Sequence, residues 1–167
     1  SRAAAWDCPV TLQTNLAKFK KHPRMADIFE VMRRWEDVRA KNWLTPAQKE
    51  ELKKLDQEHI LLVNEKKDYE LVPYHEIPNV AGGNVRAFLF DRNGSRYVVY
   101  WHVSGSGTLT LPLASGDFEL VNELGGEKTA VACEGGTSLL PADNRRYLKT
   151  PLSPGAVKKA FAAAGLR

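Results

Sequence analysis

The sequence predicts an α+β chain: a helical N-terminal segment carrying a β-hairpin, then an antiparallel β-sandwich-like domain closed by a C-terminal helix. Three observations predict it. Met25, Ile28, Phe29, Met32, Trp35 and Val38 recur at helical period near the N-terminus. From Val85 onward, short β-branched and aromatic runs recur about every ten residues between glycine turns, the pattern of a sandwich or jelly roll. A last apolar stripe, Val157, Ala160, Phe161 and Ala164, again has helical spacing. The change of pattern divides the chain into residues 1–80, helix-rich with a hairpin (a linker or the end of a barrel), and residues 81–167, the sandwich-like domain with its helix.

The first candidate element is Pro9-Val-Thr-Leu-Gln13, read as a strand. The basic run Lys18-Phe-Lys-Lys-His-Pro-Arg24 follows as a linker-like patch. Helix Met25–Lys41 carries Glu30–Arg34 and Asp37–Lys41 as acid-before-base pairs at i, i+4, each contributing a few tenths of a kcal/mol. Thr45-Pro-Ala-Gln48 has the residues of a capping box, with proline at the first helical position. That short surface helix runs to Leu55, anchored by Leu52 and Leu55. His59–Val63 and Tyr69–Val72 flank a five-residue connection and read as a hairpin. Pro73, Pro78 and Ala81-Gly-Gly-Asn84 interrupt regular structure.

Val85 to Leu113 reads as a three-stranded antiparallel meander, turning at Asp91-Arg-Asn-Gly94 and Ser104-Gly-Ser-Gly107. Its middle run is apolar on both alternations: Tyr97, Val99, Trp101 and Val103 on one face, Val98, Tyr100 and His102 on the other. Such a strand belongs at the centre of a sheet, covered on both sides. Asp117–Val121 and Glu127–Ala132 form another hairpin around Leu124-Gly-Gly126, and Thr137–Leu140 and Arg146–Lys149 add two short strands. Ser153 caps the final helix, Pro154 opens it and Gly165 ends it.

Bulk properties narrow the function classes. The 167 residues, 43% hydrophobic and 26% charged, suit one ordinary domain, or a small domain with an appended subdomain. The net charge of +4 and pI near 9.1 are mildly basic. The bases are scattered among acids, which argues against nucleic acid as a partner. No run approaches the ~18 apolar residues of a membrane span, so no membrane partner is expected. Ser1-Arg-Ala-Ala-Ala-Trp6 reads as an excised boundary without a signal peptide, and the compartment stays open. Cys8 and Cys133 make neither a disulfide framework nor a zinc spacing. They read as buried or incidental thiols, with one long-range bridge as the alternative.

No catalytic residue, metal ligand or cofactor is nominated. None of His22, His59, His75 and His102 pairs with another at metal-binding spacing. His75-Glu76 has the chemistry of a proton-transfer pair but reads as a solvated loop pair. Glu119 and Glu123 show no sign of facing each other across a cleft. The glycine-rich runs lack the lysine of a phosphate loop, and no Gly-x-Ser-x-Gly elbow is present. The aromatics Phe88, Phe90, Tyr97, Tyr100 and Trp101 stand out instead. Exposed rings on a sheet stack on the C–H faces of sugars; buried ones make core or cover a neighbouring domain. Trp101, Tyr100 and Trp43 are the candidate carbohydrate-binding or domain-interface residues.

Tyr97-Val-Val-Tyr-Trp101, Gly107-Thr-Leu-Thr-Leu-Pro-Leu113, Phe118-Glu-Leu-Val-Asn-Glu-Leu-Gly-Gly126, Thr137-Ser-Leu-Leu140 and Arg146-Tyr-Leu148 together resemble a recurring ending. It is similar to the C-terminal β-sandwich accessory domain that follows the (β/α)8 catalytic barrel in glycoside hydrolases. Asn122 stands where that pattern commonly has aspartate, and Arg146 where it has proline. Cys8–Gln13 with the helix around Arg33-Arg-Trp-Glu-Asp-Val-Arg39 resembles the closing strand and helix of such a barrel. The resemblance covers residues 85–150 and, more loosely, 9–75. It implies a non-catalytic accessory region in carbohydrate metabolism, whose partner is a catalytic domain of the same polypeptide; the family's catalytic carboxylates lie on barrel strands outside this sequence. The alternatives are an independent carbohydrate-binding module, and a basic protein- or nucleic-acid-interaction module. The last requires Lys18, Lys20, Lys21, Arg24, Arg33 and Arg34 to converge on one face.

Overall fold

A computed structural model describes residues 2–167. It has the α+β architecture expected: short N-terminal helices, antiparallel sheets of seven and four strands, and a C-terminal helix. The chain divides into two compact units, residues 2–63 with Tyr69–Pro73, and Asn64–Asp68 with Tyr74–Arg167.

The first unit holds α1 (Arg2–Ala5), α2 (Leu16–Lys21), α3 (Met25–Ala40), α4 (Pro46–Lys53), β1 (Glu58–Val63) and the first residues of β2 (Tyr69–Ile77). Its core gathers Ala4, Ala5, Trp35, Val38, Leu44, Leu52 and Leu61. Only the C-terminal half of the α3 stripe takes part: Trp35 and Val38 are buried, while Met25, Ile28 and Met32 are half-buried and Phe29 is exposed. The capping box of α4 forms in both directions, Gln48 N to Thr45 Oγ1 at 3.2 Å and Thr45 N to Gln48 Oε1 at 2.9 Å.

Several local expectations change here. Pro9–Gln13 is not a strand; the Val10 amide goes instead to the Glu36 carboxylate on α3, at 2.9 Å. The basic patch is not a plain linker: Lys18–Lys21 belong to α2, which is started by the Asn15 side chain accepting from Lys18 N at 2.9 Å. Leu55 lies beyond the end of α4 and is 83% exposed, so Leu52 alone anchors that helix. β2 runs straight through Pro73. The proline lacks a ladder donor, and it sits just upstream of the residues paired with β3, His75–Ile77, where no donor is required of it.

In the second unit, β3 (Val85–Arg92) and β4 (Ser95–His102) form a hairpin closed by Asn93 and Gly94 at φ 50° and 72°. Both central residues are left-handed, which asparagine and glycine tolerate best and which matches the twist of the flanking strands. The expected meander stops there. β5 (Gly107–Leu111) leaves for the smaller sheet, because the free side of β4 is taken by β10 (Arg146–Thr150). The exit is shaped by His102, whose Nδ1 accepts from Ser104 N at 3.1 Å and Gly105 N at 2.7 Å. Gly107 then lies so close to the C-terminus that a Cβ there would meet the Arg167 carbonyl at 2.8 Å.

The remaining elements are β6 (Glu119–Val121), β7 (Lys128–Thr129), β8 (Ala132–Glu134), β9 (Thr137–Ala142), α5 (Pro154–Ala162) and β11 (Gly165–Leu166). The larger sheet has the order β1-β2-β3-β4-β10-β6-β7, the smaller β11-β5-β9-β8. One core joins the inward residues of both sheets to α5: Val98, Tyr100 and Leu148 from the larger, Leu109, Leu111 and Leu140 from the smaller, and Phe161 from the helix. Two sheets burying one face each around a shared apolar core is a sandwich-like arrangement. Each fully buried leucine in it contributes about 1.5–3 kcal/mol.

Candidate functional site

Alternation along β3 and β4 decides which aromatics can meet a ligand. Val98, Tyr100 and His102 point inward; Tyr97, Val99 and Trp101 take the opposite face, as do Arg86, Phe88 and Phe90 across the hairpin. Val99 is fully buried on that outer face, so the two-sided apolar pattern of β4 does reflect cover on both sides at its middle. Toward the His102 end the cover thins, and Phe88 and Trp101 are half-buried.

There the rings form a ladder across three strands. Trp101 stacks on Phe88 with centroids 5.2 Å apart and planes at 26°. Tyr74 of β2 meets the other side of Phe88 edge-on at 5.0 Å and 84°. Diagonal and direct neighbours on adjacent strands are within reach of aromatic side chains, and such pairs add about 0.5–1.5 kcal/mol beyond their buried area. The Arg86 guanidinium lies 5.6 Å from the Phe88 ring and pairs with Glu76 at 2.7 Å. An exposed ion pair therefore rims the aromatic strip. The Glu76 carboxylate is thus engaged by Arg86, and His75 is exposed. A second pair, Phe90 and Tyr97, stacks at 5.5 Å and 11° toward the hairpin turn.

The three residues singled out from the sequence occupy different environments. Trp101 is in the ladder. Tyr100 is a core residue with no exposed surface; its hydroxyl donates to the Pro141 carbonyl at 3.1 Å and its ring packs 6.2 Å from Phe161. Burial pushes its phenol far above the usual range. It offers no ring to a ligand. Trp43 belongs to the first unit, half-buried and edge-on to Tyr69 at 6.2 Å and 78°. Tyr74 and Arg86 were not anticipated as neighbours of Trp101. Their alternation was legible, but the β2–β3 register that aligns Glu76 with Phe88 was not.

The perturbed carboxylates are explained by local ion pairs. The Arg33 guanidinium, aided by Arg34, holds Glu30 down at about 2. Arg92 does the same for Glu65, also at about 2. Arg146 lowers Asp143, and Lys128 lowers Glu119. An open groove of about 530 Å³ lies beside Asp91, Arg96, Phe118, Glu119 and Lys149. Three of its charges are already matched, Arg96 and Asp91 with each other at 2.9 Å and Glu119 with Lys128 at 2.6 Å. Among the described residues no group of three or more histidine, cysteine or acidic side chains is arranged to hold a metal ion. Cys8 and Cys133 are both free and exposed, so neither is buried or bridged. No helix is long and apolar enough to cross a membrane among the described residues.

Comparison with known proteins adds no relative: no family model, no curated protein and no solved structure matches the chain.

Proposed function

We propose that the chain is a non-catalytic accessory region of a carbohydrate-active enzyme, and that it meets its catalytic domain through the outer face of the β3–β4 hairpin. The observation that carries this reading is the half-exposed Phe88–Trp101 stack, continued by Tyr74 and rimmed by Arg86 and Glu76. Aromatics with an arginine rim and few mobile side chains are what protein interfaces concentrate at their centres. The sandwich-like arrangement and the motifs from Tyr97 to Leu148 supply the carbohydrate context by resemblance.

A second reading rests on the same strip. A half-exposed indole on a sheet face is also a surface on which the C–H face of a pyranose stacks, which makes the chain a carbohydrate-binding module. One pair of measurements separates the two. Trp101→Ala in the full polypeptide lowers the melting temperature of the catalytic domain under the first reading, while calorimetry of the isolated chain with oligosaccharides gives no heat. Saturable sugar binding lost in Trp101→Ala supports the second. Turnover of aryl glycosides by the purified chain overturns both.

A further inference from the structure

The first unit carries a second unpartnered surface, independent of the aromatic strip. The N-terminal half of α3 leaves its apolar stripe outside the core. Met25, Ile28 and Met32 are half-buried and Phe29 is 39% exposed. α2 lies beside this stripe, with Phe19 and Phe29 in ring contact at 4.9 Å. Leu16, one turn before Phe19, is 67% exposed. The stripe from Met25 to Met32 is about 10 Å long, two turns of helix.

The charge on α2, beside the stripe, has one sign; Asp27, on the first turn of α3, is the first acid after it. Between Asp7 and Asp27 the chain has no acidic residue, and it has Lys18, Lys20, Lys21 and Arg24. Lys18, Lys20 and Lys21 are exposed and make no ion pair among the described residues. Further along α3 the opposite holds. Glu30 is taken by Arg33 and Arg34 at 2.8 and 2.7 Å, Glu36 by Arg39, and Asp37 by Lys41. The convergence of six bases needed for a nucleic-acid face is therefore not what the helix offers, since Arg33 and Arg34 are spent on Glu30. What remains is three exposed lysines on α2, without an ion pair among the described residues, on the helix that touches an apolar stripe of helical spacing through Phe19 and Phe29.

We propose that the α2–α3 face docks an acidic amphipathic helix of a partner protein. Apolar residues of the partner at i, i+3, i+4 and i+7 would seat on the ridge, helix against helix. Its glutamates and aspartates would meet Lys18, Lys20 and Lys21. Both methionines of the chain, Met25 and Met32, lie on this ridge; their flexible thioether side chains adapt to varied apolar partners. A lipid surface is the competing occupant, and the vesicle arm of the test below separates it from a helix.

The test uses the full chain and a fluorescein-labelled peptide of about 18 residues, with leucine at i, i+3, i+4 and i+7 and glutamate between. Anisotropy shows saturable binding that weakens from about 0.05 to about 0.5 M salt. Lys18→Glu with Lys20→Glu and Lys21→Glu weakens it at least about tenfold, and Leu16→Ser weakens it without changing the melting curve, because all four side chains are exposed. No saturable binding, equal binding by the triple variant, or equal binding of the same peptide with lysine for glutamate overturns the proposal. Sedimentation with phosphatidylserine vesicles in place of peptide binding also overturns it, in favour of an anionic lipid surface.

Discussion

The indole of Trp101 lies 5.2 Å from the ring of Phe88 across adjacent strands, nearly parallel to it and only half-buried. The pair is not directly opposed. Phe88 faces Val99, and Trp101 faces Arg86, so the stack is diagonal, and Arg86 sits over the same ring.

Trp101→Ala therefore costs the isolated chain little, about 1–2 kcal/mol from the lost stack and partial burial. Chemical denaturation reads this as a lower midpoint with an unchanged slope. Phe88→Ala costs more, because Tyr74, Trp101 and Arg86 all lean on that ring.

Tyr100 and Phe161 behave as core. Phe161→Ala removes a fully buried ring between helix and sheet and costs about 3–5 kcal/mol. Tyr100→Phe keeps the packing and loses only the bond to the Pro141 carbonyl, about 1 kcal/mol. Equal losses in the two variants would contradict this assignment.

Arg92 is buried with its guanidinium in a two-bond contact with Glu65, at 2.9 and 2.8 Å. Glu65→Gln removes the charge-assisted part of that contact, and because the Glu65 side chain is 47% exposed the loss is modest, up to about 1 kcal/mol. The folded pKa of Glu65 is depressed, so its contribution is complete above the ordinary glutamate value. It is lost as pH falls from there toward about 2. The melting temperature of Glu65→Gln then loses part of the wild-type slope in that window.

His59 gives a second pH dependence of the same sign at higher pH. It is 8% exposed, its Nδ1 has no partner among the described residues, and burial lowers its pKa, the nearby Glu51 and Glu58 opposing and Lys54 assisting. The unfolded chain then binds the proton more readily than the folded one. Stability is complete above about pH 6.5 and falls as pH drops below it. His59→Phe flattens the melting-temperature profile between about pH 7 and pH 5; an unchanged profile contradicts the assignment.

Legibility in the sequence followed the range of the interactions. Helix α3, the capping box of α4, the Asn93-Gly94 hairpin and the Ser153-Pro154 start of α5 depend on neighbours a few residues apart, and all four formed as expected. Elements set by distant partners did not read through. β5 belongs to the smaller sheet because β10, some forty residues later, occupies the edge of β4. The α3 stripe is uniform in sequence, yet only Trp35 and Val38 reach the core. Tyr100 and Trp101 are adjacent letters with opposite fates, because one strand alternation separates the sandwich core from the outer face. Trp101 among the ladder aromatics was identifiable; its partners Tyr74 and Arg86 required the register.

The central claim is that the Phe88–Trp101 face is covered by a catalytic domain of the same polypeptide. Hydroxyl-radical footprinting, comparing this chain alone with the full polypeptide, tests it most directly. The account predicts that oxidation of Trp101, Phe88 and Tyr74 falls several-fold in the full polypeptide, while Leu55, 83% exposed and in the other unit, serves as a reference. Equal labelling of Trp101 in the two samples would contradict it.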